Sequence, residues 1–191
     1  MAFCPLDLPW ALHSELPPLD FVLPGLLPGG LGLMVAPGGT GKSFLALAIA
    51  ISLSTGRAVA DGLFPASAQG RVVYLAGEES DRLLAERLRG TLDLAGRSQL
   101  DPKNLILLPL AGEDCRLVSQ GASTDLLSEL KERAQGSRLI IIDPIRRFHD
   151  GDENDSSAMT RLVVVLESLA KHTGAAVLAL HHANRASASD G

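Results

Sequence analysis

Cysteine is nearly missing from this chain: Cys4 and Cys115 stand far apart, in no CxxC pair or Cys/His cluster, so neither a disulfide framework nor a zinc site is indicated. Aromatic residues make up only 4% of the 191 positions, which leaves no stacking platform for single-stranded nucleic acid to be argued from composition. A basic excess is also lacking. With 17 Lys+Arg against 22 Asp+Glu and a net charge of -5, bulk charge does not hold the chain on nucleic acid or an anionic membrane, although a local basic patch is allowed. The N-terminus has no basic stretch followed by an apolar core, and six of the 11 prolines fall within the first thirty residues, which breaks any spanning helix there. A soluble, cytoplasmic protein with no membrane partner is expected.

What is present is apolar: 46% hydrophobic and 20% charged residues, with a mean hydropathy of +0.20. At this length about 70% of the unfolded surface is removed from water on folding, enough for one core without staples. Residues 1–30 read as an extended proline-rich arm, because Pro5, Pro9, Pro17, Pro18, Pro24 and Pro28 deny it helix and central-strand hydrogen bonding. Its Trp10, Phe21 and Leu23 must cover something, either this domain or a neighbouring subunit.

Beyond the arm, short apolar runs recur at Leu31 to Ala36, Val72 to Ala76, Leu105 to Leu110, Leu139 to Ile142 and Ala175 to Leu180. They do not alternate with polar residues, which predicts strands buried on both faces, as in a parallel sheet. Helical periodicity fills the gaps: Lys42 to Leu53, apolar nearly all round; Asp81 to Leu94 before Gly96; about Asp125 to Ala134 before Gly136; and Ser156 to His172 before Gly174. Alternating strand and helix predict an α/β fold, a mostly parallel sheet flanked by helices over residues 31–185. The small-residue tail 186–191 is expected to be mobile.

The strongest motif is Ala36-Pro37-Gly38-Gly39-Thr40-Gly41-Lys42-Ser43, which leaves an apolar run and opens a helix. It matches a phosphate loop except that Ala36 replaces the first glycine, at the point where the strand leaves the sheet. Gly38, Gly39 and Gly41 let backbone N–H groups converge on a phosphate, Lys42 supplies a point charge for the β/γ-phosphates, and the Ser43 hydroxyl is placed to hold Mg²⁺. Leu139 to Ile142 end in Asp143, a carboxylate suited to the Mg²⁺ of an ATP-binding enzyme, through water. Pro144 follows directly, so the group that activates water must come from another strand.

Glu78 and Glu79 emerge at the end of the Val72 to Ala76 run, the edge at which α/β sheets hold ligands. Glu78 is the candidate general base and Glu79 a helper or a Mg²⁺-water ligand; the plainer reading is that both acids open the next helix and offset its dipole. His181 and His182 close the last strand at the same edge. Strand neighbours point to opposite faces, so at most one of them senses a γ-phosphate and the other is structural. Arg146 and Arg147 follow Asp143 and suit a phosphate or a neighbouring subunit, whereas the four acids from Asp150 to Asp155 suit a solvated loop or a subunit contact.

Together these segments resemble the RecA-like P-loop ATPases and, among them, the hexameric replicative helicases of the plasmid RepA type. The likeness runs from about residue 17 to 185 through Pro18-Leu19-Asp20-Phe21-Val22-Leu23-Pro24, the phosphate loop, Tyr74-Leu75-Ala76-Gly77-Glu78, Arg87-Leu88, Asp143 to His149 and Leu180-His181-His182-Ala183. It implies a RecA-like fold, a ring of six subunits with ATP between them, Glu78 as catalytic base, His182 as γ-phosphate sensor, and DNA unwinding driven by hydrolysis, with single-stranded DNA as partner. Relatives continue through a DNA-facing loop, further strands and an arginine finger, so the chain is expected to be truncated before its C-terminal strands. A RecA-fold ATPase switch in DNA repair or plasmid regulation is the alternative. A small-molecule kinase fits less well, since past residue 110 no arginine cluster suited to a lid appears apart from Arg146 and Arg147.

Overall fold

Five apolar runs become five parallel strands, and the segments of helical period between them supply the crossovers that parallel pairing requires. The computed structural model describes residues 3–58, 69–95, 100–151 and 155–183. Strands β1 (Leu31–Ala36), β2 (Val72–Ala76), β3 (Leu105–Pro109), β6 (Leu139–Asp143) and β7 (Ala176–His182) form one sheet in the order β1-β7-β6-β2-β3. A two-stranded hairpin of β4 (Val118–Ser119) and β5 (Ala122–Ser123) lies outside it. The helices are α1 (Leu8–His13), α2 (Lys42–Thr55), α3 (Asp81–Ala95), α4 (Asp125–Arg133) and α5 (Ser156–Thr173), with a 3₁₀ turn at Ile145–Phe148.

Strand alternation sends successive residues to opposite faces, and each face has its own core. Val72, Tyr74, Ala76, Leu139 and Ile141 pack with Leu47 and Ile51 of α2 and Leu84 of α3. Val73, Leu75, Ile140 and Ile142 pack with Leu127 of α4 and Leu162, Leu166 and Leu169 of α5. β2 and β6 are buried at every residue, as unbroken apolar runs demand. β1 departs from that expectation: it is an edge strand of the described sheet, and Leu33 and Val35 stay 54% and 52% exposed.

The N-terminal segment also corrects its prediction. Prolines do not keep it wholly extended, since Leu8–His13 form a helix with Pro9 in the first turn, where no intrahelical N–H is needed, and Asp7 caps it by accepting from the Trp10 N–H at 3.1 Å. Trp10 itself is exposed, and the buried part of the segment lies later: Val22 and Leu26 belong to the α2-side core. The expected stop at Gly96, the acidic positions 152–153 and the tail 186–191 fall outside the described residues.

Candidate functional site

The loop between β1 and α2 is shaped by backbone that only glycine adopts without strain. Gly39 and Gly41 have φ of +77° and +89°, and a Cβ built at either meets nothing within 4 Å, so the loop surrounds an open hollow. Lys42 begins α2 and is 6% exposed; its Nζ turns back to donate to the carbonyls of Ala36 and Pro37 at 2.5 and 2.7 Å. The Thr40 hydroxyl donates to Pro37 O at 2.8 Å, which closes the turn from inside.

The hollow continues into a cavity of about 400 Å³ at the carboxyl ends of the strands, lined among others by Gly39, Gly41, Lys42, Ser43, Glu78, Asp143 and His182. β1 brings the loop, β2 the two acids, β6 Asp143 and β7 the histidine. Pro37, Gly38 and Thr40 belong to the loop without lining this cavity, and so does not His181, whose strand position faces the other way. The Nδ1 atoms of His181 and His182 are both buried without a partner.

Buried partners organise the acids. The Tyr74 hydroxyl donates to Asp143 Oδ2 at 2.6 Å and lies 3.5 Å from the Ser43 carbonyl, so one fully buried phenol joins β2, β6 and the start of α2. Burial, then the Asp143 charge, push the Tyr74 phenol far above its usual range, which keeps it a donor. Gly77 N–H donates to Asp143 O at 2.7 Å and carries the same connection into the acid pair. Glu78 is half-exposed and accepts from Arg146, with Nε at 2.9 Å. Glu79 is buried, paired with Arg87, and keeps Oε2 without a partner; burial raises its carboxyl although Arg87 opposes the shift. Arg87 in turn lies 5.0 Å from the centre of the Phe44 ring.

Sequence reasoning named Tyr74 and Arg87 only within the resemblance, with no role for either, and missed Phe44 and the role of Arg146 as the partner of Glu78. Only the lone tyrosine inside an otherwise aliphatic strand offered a signal, since a buried hydroxyl must find a partner.

The donor set suits a nucleotide with Mg²⁺. Among the described residues no group of three or more His, Cys, Asp or Glu is placed to hold a metal, and Mg²⁺ needs none, being bound through one or two side-chain oxygens, water and phosphate. Ser43 Oγ and Asp143 Oδ1 have no hydrogen-bond partner among the described residues, while Oδ2 is already taken by Tyr74.

Two solved structures share the architecture. A RadB recombinase aligns with a TM-score of 0.56 at 21% identity, covering 88% of this chain and 69% of its own. A DnaB-like replicative helicase, solved for its interactions with primase, aligns with a TM-score of 0.54 at 15% identity, covering 85% of this chain and 42% of its own. At such identities the likeness is one of fold, that of the RecA-like P-loop NTPases. A family model described as an AAA domain matches residues 3–188, almost the whole length, and the phosphate loop and its cavity lie within that match: the chain belongs to the AAA_25 family and is a RecA-like P-loop ATPase domain.

Proposed function

We propose that this domain is the ATP-hydrolysing motor of a cytoplasmic hexameric DNA helicase of the RepA type, acting on single-stranded DNA. The observation that carries the reading is the meeting of Lys42, Ser43, Glu78, Asp143 and His182 around one cavity at the phosphate-loop edge. Bound Mg²⁺ would offset the negative charge on the phosphate oxygens around the electrophilic γ-phosphorus of ATP. Gly38, Gly39 and Gly41 present backbone N–H groups to the phosphates, and Lys42 leaves its carbonyls to neutralise the transferred group. Ser43 and Asp143 would hold the metal, Asp143 through water, with Tyr74 fixing the carboxylate. Glu78 takes the proton of the attacking water, and His182 exchanges a hydrogen bond when the γ-phosphate departs, passing the change into the chain beyond β7.

Lys42→Ala is expected to lose nucleotide turnover while staying folded, and undiminished turnover would sink the assignment. Glu78→Gln should still bind ATP·Mg²⁺ while hydrolysis drops by about 10² or more, the usual scale for a general base. For His182→Ala in a protein with its DNA-facing parts, ATP binding survives and stimulation by single-stranded DNA is lost; full stimulation in that variant together with its loss in His181→Ala reverses the choice of histidine.

A second reading is a RecA-fold ATPase switch in DNA repair or plasmid regulation, supported by the fold shared with a recombinase. DNA-stimulated ATPase without strand separation by the complete protein would select it.

A further inference from the structure

Arg146 connects two cavities. Its guanidinium holds Glu78, which walls the nucleotide pocket, while Arg146 itself lines a second cavity of about 360 Å³ between residues 112–116 and 146–149. That cavity is framed by direct bonds: Leu117 N–H donates to Phe148 O at 2.8 Å, and Cys115 Sγ to Arg147 O at 3.1 Å. Arg116, Arg146 and Arg147 line it against Glu113 and Asp114.

The acids do not cancel the arginines evenly. Asp114 is gripped by Arg116 through two bonds of 2.7 and 2.5 Å, so this pair is closed on itself. Glu113 opposes an anion. Arg147 has no ion-pair partner among the described residues; its Nε and Nη2 donate to the carbonyls of Gly77 and Glu113, at 3.1 and 3.4 Å. His149 adds a donor: its Nδ1 accepts from Gly151 N–H at 3.2 Å, which places the proton of the neutral ring on Nε2, and that atom is buried without a partner. Fork-shaped donors with too few acceptors are the surroundings that a phosphate oxyanion satisfies.

We propose that the second cavity is a phosphate-class anion site, and that its occupant draws Arg146 away from Glu78 and so releases that carboxylate toward the nucleotide pocket. The coupling rests on the reading of Glu78 as general base. Both Arg146 bonds fall on Glu78 Oε1 and hold the carboxylate in place; a competing anion gives Arg146 another partner and leaves the Glu78 side chain able to turn toward the attacking water. Linkage makes the effect mutual in binding terms. The phosphate belongs either to a polynucleotide backbone or to a free anion, and the test separates the two.

Side-chain ¹⁵N NMR of the arginines is recorded on the full chain carrying Lys42→Ala, which silences the phosphate loop, during titration with inorganic phosphate and separately with a short oligothymidylate. The Arg146 and Arg147 signals are expected to shift, and Arg147→Gln is expected to abolish the response. A shift with both probes assigns the site to the phosphate group, with the oligonucleotide alone to the polymer backbone, and with phosphate alone to the free anion; no shift with either overturns the site. Turnover tests the coupling: Arg146→Gln should raise the basal ATPase rate about fivefold or more and make it insensitive to either probe, the scale of a typical coupling. If that variant does not fold, Arg146→Lys, which keeps the charge and loses the fork, must show the same direction of change. An unchanged or lower basal rate overturns the coupling. ATP turnover by the unaltered chain without any arginine shift refutes the second site alone, whereas an arginine shift together with no ATP binding by the unaltered chain, Lys42 in place, refutes the ATPase reading and leaves the anion site standing.

Discussion

Tyr74 shows how one side chain sets the geometry of a site it does not enter. Its hydroxyl holds Asp143 Oδ2 at 2.6 Å in a fully buried position, so Tyr74→Phe removes the donor and leaves a carboxylate oxygen unsatisfied. A loss of about 1.5–3 kcal/mol is expected in urea unfolding, the range for a bond to a charged group, with a rise in the Mg²⁺ concentration needed for half-maximal turnover. An unaltered Mg²⁺ requirement would separate the phenol from the metal site. Glu79 predicts a pH dependence. Burial raises its carboxyl from 4.5, so the folded state prefers the protonated form, and the stability this contributes is present below the unfolded value and fades as pH rises through the raised one. Relative to the unaltered protein, Glu79→Gln should therefore gain stability as pH climbs past 4.5, and a difference flat with pH would contradict the assignment. Lys42 and Ser43 were legible because their spacing is a local device. The pairing of Glu78 with Arg146 was not, since 68 residues separate them and only the fold brings them together.

At the scale of elements, apolar runs and their stops placed the five strands and four longer helices close to where they form. α5 illustrates why: Leu162, Leu166 and Leu169 recur on one stripe against the sheet, and Gly174 ends the helix at φ +72° with its N–H on Ala170 O. Leu162→Ala should cost about 2–5 kcal/mol in denaturant unfolding, the range for an emptied core leucine, and a much smaller loss would mean that the site collapses around the gap. β1 was expected to be buried on both faces because its composition matches that of the central strands. Which strand lies at an edge depends on neighbour order, and that order is tertiary information. The α1 helix was missed for a local reason: six prolines outweighed one favourable cap at Asp7, although a proline in the first turn is compatible with helix.

Taken whole, the molecule ties its N-terminal segment to the sheet by Val22 and Leu26 in the core and by Asp20 paired with Arg138, while Leu8, Trp10, Leu12 and Leu16 remain 52–76% exposed. An exposed apolar helix on a tethered arm is a candidate contact between subunits. Deleting residues 1–16 is expected to shift the protein toward smaller species in sedimentation, and an unchanged distribution would assign the arm to its own domain. Arg138 holds the Asp20 carboxyl below its usual range, so this tether persists above the ordinary carboxylate pKa and is lost as pH falls through the lowered value. No described helix is long and apolar enough to cross a membrane.

By itself the sequence determined the strand and helix segments, the α/β class, the phosphate loop and the sheet edge at which the site forms, because each follows from periodicity or from spacing within a few residues. Tertiary structure decided the order β1-β7-β6-β2-β3, which makes β1 an edge of the described sheet and brings four strand ends to one cavity. It also decided the partners of the acids: Arg87 for Glu79, Arg146 for Glu78 and Tyr74 for Asp143. A local pattern specifies which group is present, whereas its charge, burial and freedom to react depend on what the fold packs against it.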